Sequence, residues 1–155
     1  MKAAARPELA LRRKQADAYL DLTRIHRDIE RRVAELLVRE RLHDVTPAQA
    51  NVLMLLFQAK VPMTARALAE QMALSEVTVG RFIKALTAAG WTDRRADPAD
   101  SRRMLVRPTR KAYRALPRFI AVSNALLDEA FAGFTPAEVG HIAAATERLR
   151  RNIGG

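Results

Sequence analysis

Residues 74–109, LSEVTVGRFIKALTAAGWTDRRADPADSRRMLVRPT, constrain this chain more than any other stretch. Ser75 suits a helix start, where a hydroxyl accepts from open backbone N–H groups, and Gly90 suits a helix stop, where a left-handed backbone is needed. Between them Val79, Ile83 and Leu86 share one helical face, with Phe82 beside them. Val77, Arg81 and Lys84 fall opposite, with Thr78 and Gly80 on the shoulders. The period predicts a helix with an apolar inner face and a basic outer one. Directly after it, Trp91–Arg95 and Arg103–Arg107 read as short strands, and Asp97-Pro98 between them signals a turn.

Upstream, TPAQ at 46–49 is a capping box with proline at the first helical position, and it opens the apolar helix ANVLMLLFQA. Thr64 starts a second short helix, ARALAEQM, which breaks at Ala73-Leu74 just before Ser75. A short helix, a tight turn and a second helix with a basic outer face form a helix-turn-helix pattern, and the hairpin that follows is its wing. Asp97 and Asp100 are then the wing-stabilising residues, favouring the turn and bracing nearby arginines such as Arg94. The remaining guanidiniums of Arg94, Arg95, Arg102 and Arg103 face outward, with Arg102 the best candidate for a DNA minor groove.

The flanking segments are helical too. Glu8–Leu42 contains no glycine and carries Leu22, Ile25, Ile29, Val33, Leu36 and Leu37 at three- and four-residue steps. At about 1.5 Å per residue it spans roughly 50 Å, longer than a domain of this size is wide. Its stripe needs a partner, and a second copy of the chain is the simplest. The stretch after Thr109 is helical with an expected kink at Pro117, and TPAE at 135–138 caps a last helix. Leu126, Phe131, Phe134, Ile142 and Leu149 give these closing helices the apolar face expected of a dimer. The fold class is therefore mainly α with a small β-hairpin wing. It is expected as one domain over 1–155, with a winged helix-turn-helix lobe at 46–109 and dimerisation helices at 8–45 and 110–153.

Charge points the same way. The chain has 27 Lys+Arg against 17 Asp+Glu, and nine of the basic residues but only three of the acidic ones lie between Trp91 and Arg118. A dense positive patch beside a folded core favours a polyanion, nucleic acid first. There is no cysteine, so thiolate metal sites and thiol switching are excluded. No Gly-rich phosphate loop, HExxH or cysteine nucleophile is present, and Ser75 serves better as a cap than as a nucleophile, so no enzyme and no cofactor are expected. The three histidines lack metal-ligand spacing. His26 reads either as a core histidine or as the wall of a ligand cavity, and Tyr19 and Tyr113 carry the same two readings. Arg24, Arg27, Arg31 and Arg32 read as a solvated helix face. No apolar run approaches the roughly 20 residues a bilayer requires, and the N-terminus has no signal-type core, so a cytoplasmic protein is expected.

The segments LSEVTVGRFIKALTAAGW and TDRRADPADSRRMLVRPTRKA resemble MarR-family transcriptional regulators, most specifically in the DP-x-D-x-R pattern of Asp97, Pro98, Asp100 and Arg102. The resemblance implies a triangular homodimer whose two recognition helices enter successive major grooves of a pseudopalindromic operator while wing arginines reach the flanking minor grooves. It places DNA contacts at Ser75, Val77, Thr78, Gly80, Arg81, Lys84 and the four wing arginines. It also implies a repressor released by a small anionic or aromatic ligand, an aromatic acid or an acyl thioester, held between the dimer helices and the lobe. Two departures stand out. Gly80 replaces the usual Ser or Thr, which removes a contact, and Pro108 replaces an apolar residue, which is expected to end its strand early. A ligand-independent architectural DNA-binding protein and a basic protein-interaction module are the alternatives.

Overall fold

The computed structural model describes residues 5–154. In chain order they form α1 (Ala5–Arg39), α2 (Pro47–Ala59), β1 (Met63–Thr64), α3 (Ala65–Met72), α4 (Glu76–Ala88), β2 (Thr92–Ala96), β3 (Met104–Pro108), α5 (Arg110–Ala130) and α6 (Pro136–Ile153). Five of the six helices open on a hydroxyl residue: Thr46, Thr64, Ser75, Thr109 and Thr135 each accept from the N–H three residues on. Thr46 with Gln49 and Thr135 with Glu138 complete reciprocal capping boxes.

α1 stops three residues before the expected end at Leu42, because Arg41 turns left-handed at φ 60° and Leu42 N–H closes onto the Leu37 carbonyl at 2.8 Å. α5 continues unbroken through Pro117. The sheet has three antiparallel strands in the order β1-β3-β2, one more than the hairpin the sequence predicts. Pro108 does not end β3 early. It pairs opposite Thr92 with its ring buried, and the next amide, Thr109 N–H, extends the pairing to the Trp91 carbonyl at 3.1 Å. A proline is tolerated at a strand end because the ladder asks no N–H of it there.

Leu53, Leu56, Leu68, Val79, Ile83, Leu86 and Val106 form the centre of one core, sealed by Leu36 and Leu37 from the end of α1 and by Ala112, Ala115 and Phe119 from the start of α5. Burying each Leu or Ile there contributes about 1.5–3 kcal/mol. Trp91 anchors the junction: its ring is buried, its indole N–H donates to Asp44 Oδ2 at 2.9 Å, and Lys111 Nζ sits 4.1 Å from the ring centre. The outer parts differ. From Glu8 to Arg32 on α1 and along α6 no residue is buried within the subunit, and Leu22, Ile25, Ile29, Ile142 and Leu149 are exposed. Arg32 departs from the solvated-face reading, since its guanidinium grips both oxygens of Glu129 on α5 at 2.6 and 2.7 Å and so straps α1 to α5.

Candidate nucleic-acid interface

Burial of Val79, Ile83 and Leu86 fixes the rotation of α4 and leaves Val77, Arg81 and Lys84 on the outside. Val77 is 69% exposed, a branched apolar side chain held in water at the first turn of a basic helix. Ser75 Oγ accepts from Thr78 N–H at 3.1 Å and bonds the Thr78 hydroxyl at 2.8 Å, so the two hydroxyls are held together at the helix start. A side chain at Gly80 would meet nothing within 4 Å. Packing therefore does not demand glycine there, and its absence of a side chain simply leaves the backbone open.

The hairpin tip is organised by its carboxylates, through the backbone rather than through arginine side chains. Asp97 Oδ1 accepts from Ala99 N–H at 2.9 Å, and Asp100 Oδ1 accepts from Arg102 N–H at 3.1 Å. Backbone bonds from Asp97 N–H to the Arg103 carbonyl and from Arg103 N–H to the Asp100 carbonyl close the turn. Arg94 is exposed and is braced by neither Asp97 nor Asp100. Asp93 does the bracing instead, holding Arg107 at 3.0 Å and Arg95 at 3.4 Å. The Arg107 hydrogen bonds, more than its charge alone, hold the Asp93 carboxyl below the usual carboxylate range. Asp93 was not singled out from the sequence; the signal was its register opposite Arg107, which only strand pairing reveals. Arg102 is left with a side chain 94% exposed and only a 3.8 Å approach to Asp100.

Arg94, Arg102 and Arg103 from the wing share a groove of about 580 Å³ with Arg66 on α3 and with Glu76 at the start of α4. Arg66, paired with Glu70 at 3.1 Å, is a further cation that sequence reasoning passed over. Its place two residues after the Thr64 cap was the available clue. The groove thus joins the beginning of the helix-turn-helix to the wing and is lined by four guanidiniums and the carboxylates of Glu76 and Asp100.

The residues expected to line an effector cavity are not gathered in one place. His26 is not a core histidine: its side chain is 72% exposed, with Glu30 at 3.7 Å, and it lines a cleft of about 470 Å³ with Asn51, Met54 and Gln71. Tyr113 packs its ring 5.5 Å from that of Phe57 and borders a different cleft. Tyr19 is exposed on α1 and lines neither. Tyr19 and His26 lie where α1 has outrun the core. Of the residues assigned to dimerisation, Phe131, Phe134, Ile142 and Leu149 are exposed, the two phenyl rings meeting edge-on at 5.9 Å, whereas Leu126 packs partly on the subunit's own core. Among the described residues no helix is long and apolar enough to cross a membrane.

A three-stranded sheet with a projecting hairpin, set against a helix-turn-helix whose second helix is solvent-facing and basic, defines a winged helix-turn-helix protein. Residues 45–104 match the MarR family model, and the fold of the chain is that of MarR-family transcriptional regulators. A MarR-family transcriptional regulator from Rhodococcus sp. RHA1 superposes with a TM-score of 0.74 at 20% identity, over 87% of this chain and 93% of that one. CouR from Rhodococcus jostii RHA1, bound to p-coumaroyl-CoA, gives 0.76 at 21% identity over 86% and 91%. A probable transcriptional regulator from Pseudomonas aeruginosa gives 0.65 at 26% identity over 81% and 93%. No curated protein matches the sequence.

Proposed function

We propose that this chain is a sequence-specific, homodimeric DNA-binding repressor released from a pseudopalindromic operator by a small anionic or aromatic ligand. The observation that carries the reading is that α4 leaves Arg81 and Lys84 exposed while the wing sets Arg94, Arg102 and Arg103 in one groove with Arg66, with the Arg102 side chain 94% exposed. In the major groove Arg81 donates to guanine O6 and N7, and Val77 covers a thymine methyl. Ser75, Thr78 and the open backbone at Gly80 approach phosphates at the start of the helix. Lys84, Arg94, Arg95 and Arg103 meet the backbone, and Arg102 enters the minor groove.

The exposed stripes of α1 and α6 support pairing of two copies through residues 8–45 and 110–153, with 46–109 as the reading lobe. Pairing sets the two α4 helices about 34 Å apart, one turn of the duplex. The His26 cleft lies between α1 and the lobe helices, so a ligand there acts on the angle between them. CouR's p-coumaroyl-CoA supports an aromatic acyl thioester as the effector class. A ligand that binds only dimers with another lobe spacing draws the population away from DNA. In this reading the chain acts by binding DNA and a ligand, as a regulator and not as an enzyme.

A salt titration on duplex DNA tests it. Neutralising 6 to 10 phosphates gives a log–log slope of about −5 to −9, and operator should exceed random duplex by at least about 10³ in affinity. A flat slope removes DNA binding, and equal affinity for both duplexes leaves an architectural protein.

A further inference from the structure

The cleft that Tyr113 borders differs from both the DNA face and the His26 cleft. It holds about 840 Å³, a size typical of small-molecule sites, and lies between the end of α2, the last turn of α4, the base of the hairpin and the first turn of α5. Thr87, on its wall, is about 16–18 Å along α4 from Ser75, so the cleft sits at the far end of the helix from the turn that leads into the DNA. It shares no lining residue with the His26 cleft.

Three cations and one carboxylate line it: Lys60, Arg107, Arg110 and Asp93. Asp93 is already neutralised by Arg107 and Arg95, and the arginine contacts keep its pKa low. Lys60 and Arg110 have no carboxylate within 4 Å among the described residues, which leaves the cleft with an uncompensated positive charge. Deeper in, Thr92 is only 2% exposed and its hydroxyl bonds that of Thr87 at 2.9 Å. Two hydroxyls sharing one hydrogen bond retain one proton to donate. Around these polar groups stand the Tyr113 ring, steadied by Phe57, and the side chains of Val61, Pro62 and Pro108.

We propose that this cleft is a second small-molecule site, for an organic anion bearing a carboxylate or phosphate on a planar apolar body. Lys60 and Arg110 take the charge, the one free proton of the Thr87–Thr92 pair is donated to it, and Tyr113 and the prolines cover the body. The proposal goes beyond the DNA-binding reading and does not depend on it.

Calorimetry on the full chain without DNA tests it, with phenyl phosphate, benzoate and inorganic phosphate as probes. One aromatic probe should bind at least about tenfold more tightly than inorganic phosphate, consistent with burial of a ring. Tighter phenyl phosphate supports a phosphate head group and tighter benzoate a carboxylate. The Lys60→Met/Arg110→Gln double variant, altered only at exposed positions, should lose at least about tenfold, as expected for charged hydrogen bonds. No heat with either aromatic probe, or unchanged binding in the double variant, overturns the proposal. So does a loss of duplex affinity in the double variant without any probe, which would make the cleft part of the DNA track. None of these outcomes in the DNA-free cell bears on whether the wing binds DNA, so the two readings fail separately.

Discussion

The lobe and the outer helices solve the burial problem in opposite ways. From Leu36 to Val122 almost every apolar residue of α2, α3, α4 and the sheet finds a neighbour inside the subunit, whereas α6 and the first part of α1 carry stripes of equal quality that touch water. The lobe is thus an autonomous core. The arms are half of one, and the missing half is a second copy in the proposed dimer. The contrast teaches that exposure in this molecule has two meanings. On α4 and the wing the long exposed side chains include Arg81, Lys84, Arg94, Arg95, Arg102 and Arg103, cations that water tolerates and phosphate prefers. On α1 and α6 they are leucine and isoleucine, which water does not favour.

The largest effect should come from the arms. Ile142→Asp with Leu149→Asp puts carboxylates seven residues apart on one face of α6, and each would be buried unpaired in the dimer. Sedimentation should show a subunit dissociation constant raised by at least about a hundredfold while the lobe still unfolds cooperatively. A dimer unchanged by the double variant would break the contrast. Next, Leu53→Ala in the autonomous core should cost about 2–5 kcal/mol in urea unfolding, followed through the buried Trp91. Arg81→Ala should then cost about 1–3 kcal/mol of operator affinity and relax base preference, leaving dimerisation alone. Arg102→Ala should lower the salt slope by about one without changing which operator is preferred, read by fluorescence anisotropy across a salt series. If its binding equals wild type, the wing does not touch DNA.

The smallest effect concerns the strap between the two regions. Hydrogen bonds from Arg32 hold the Glu129 carboxyl below the usual carboxylate range. A carboxylate whose pKa is lower folded than unfolded stabilises above its unfolded value, and that contribution vanishes as pH falls through the lowered one. The melting temperatures of wild type and Glu129→Gln should therefore differ slightly at neutral pH and converge in acid. The pair is half-exposed, so solvent screening keeps the difference small. A gap that widened with acid would show the strap's sign to be wrong.

Legibility followed range. Thr46, Thr64, Ser75 and Thr135 were readable as caps because a cap speaks to an N–H only three residues away. The inner and outer faces of α4 were readable because a helix repeats about every 100° and burial obeys the repeat. β1, two residues long, has no period to read, and its pairing with β3 spans about forty residues. Asp93 and Arg107 look like unrelated charges until register sets them opposite one another. His26 fits an apolar stripe by spacing, yet spacing does not say how far the core extends beneath the helix.

On its own, the order of residues determined where five of the six helices begin, which way α4 faces and that a basic hairpin follows it, since these depend on neighbours within a turn or two. Tertiary structure alone decided that Arg32 would find Glu129 97 positions away, that Asp93 would steady the wing, and that Tyr113 and His26 would border separate clefts. Those outcomes depend on how rigid elements pack, and packing distances are not written in the local periodicity of any one of them.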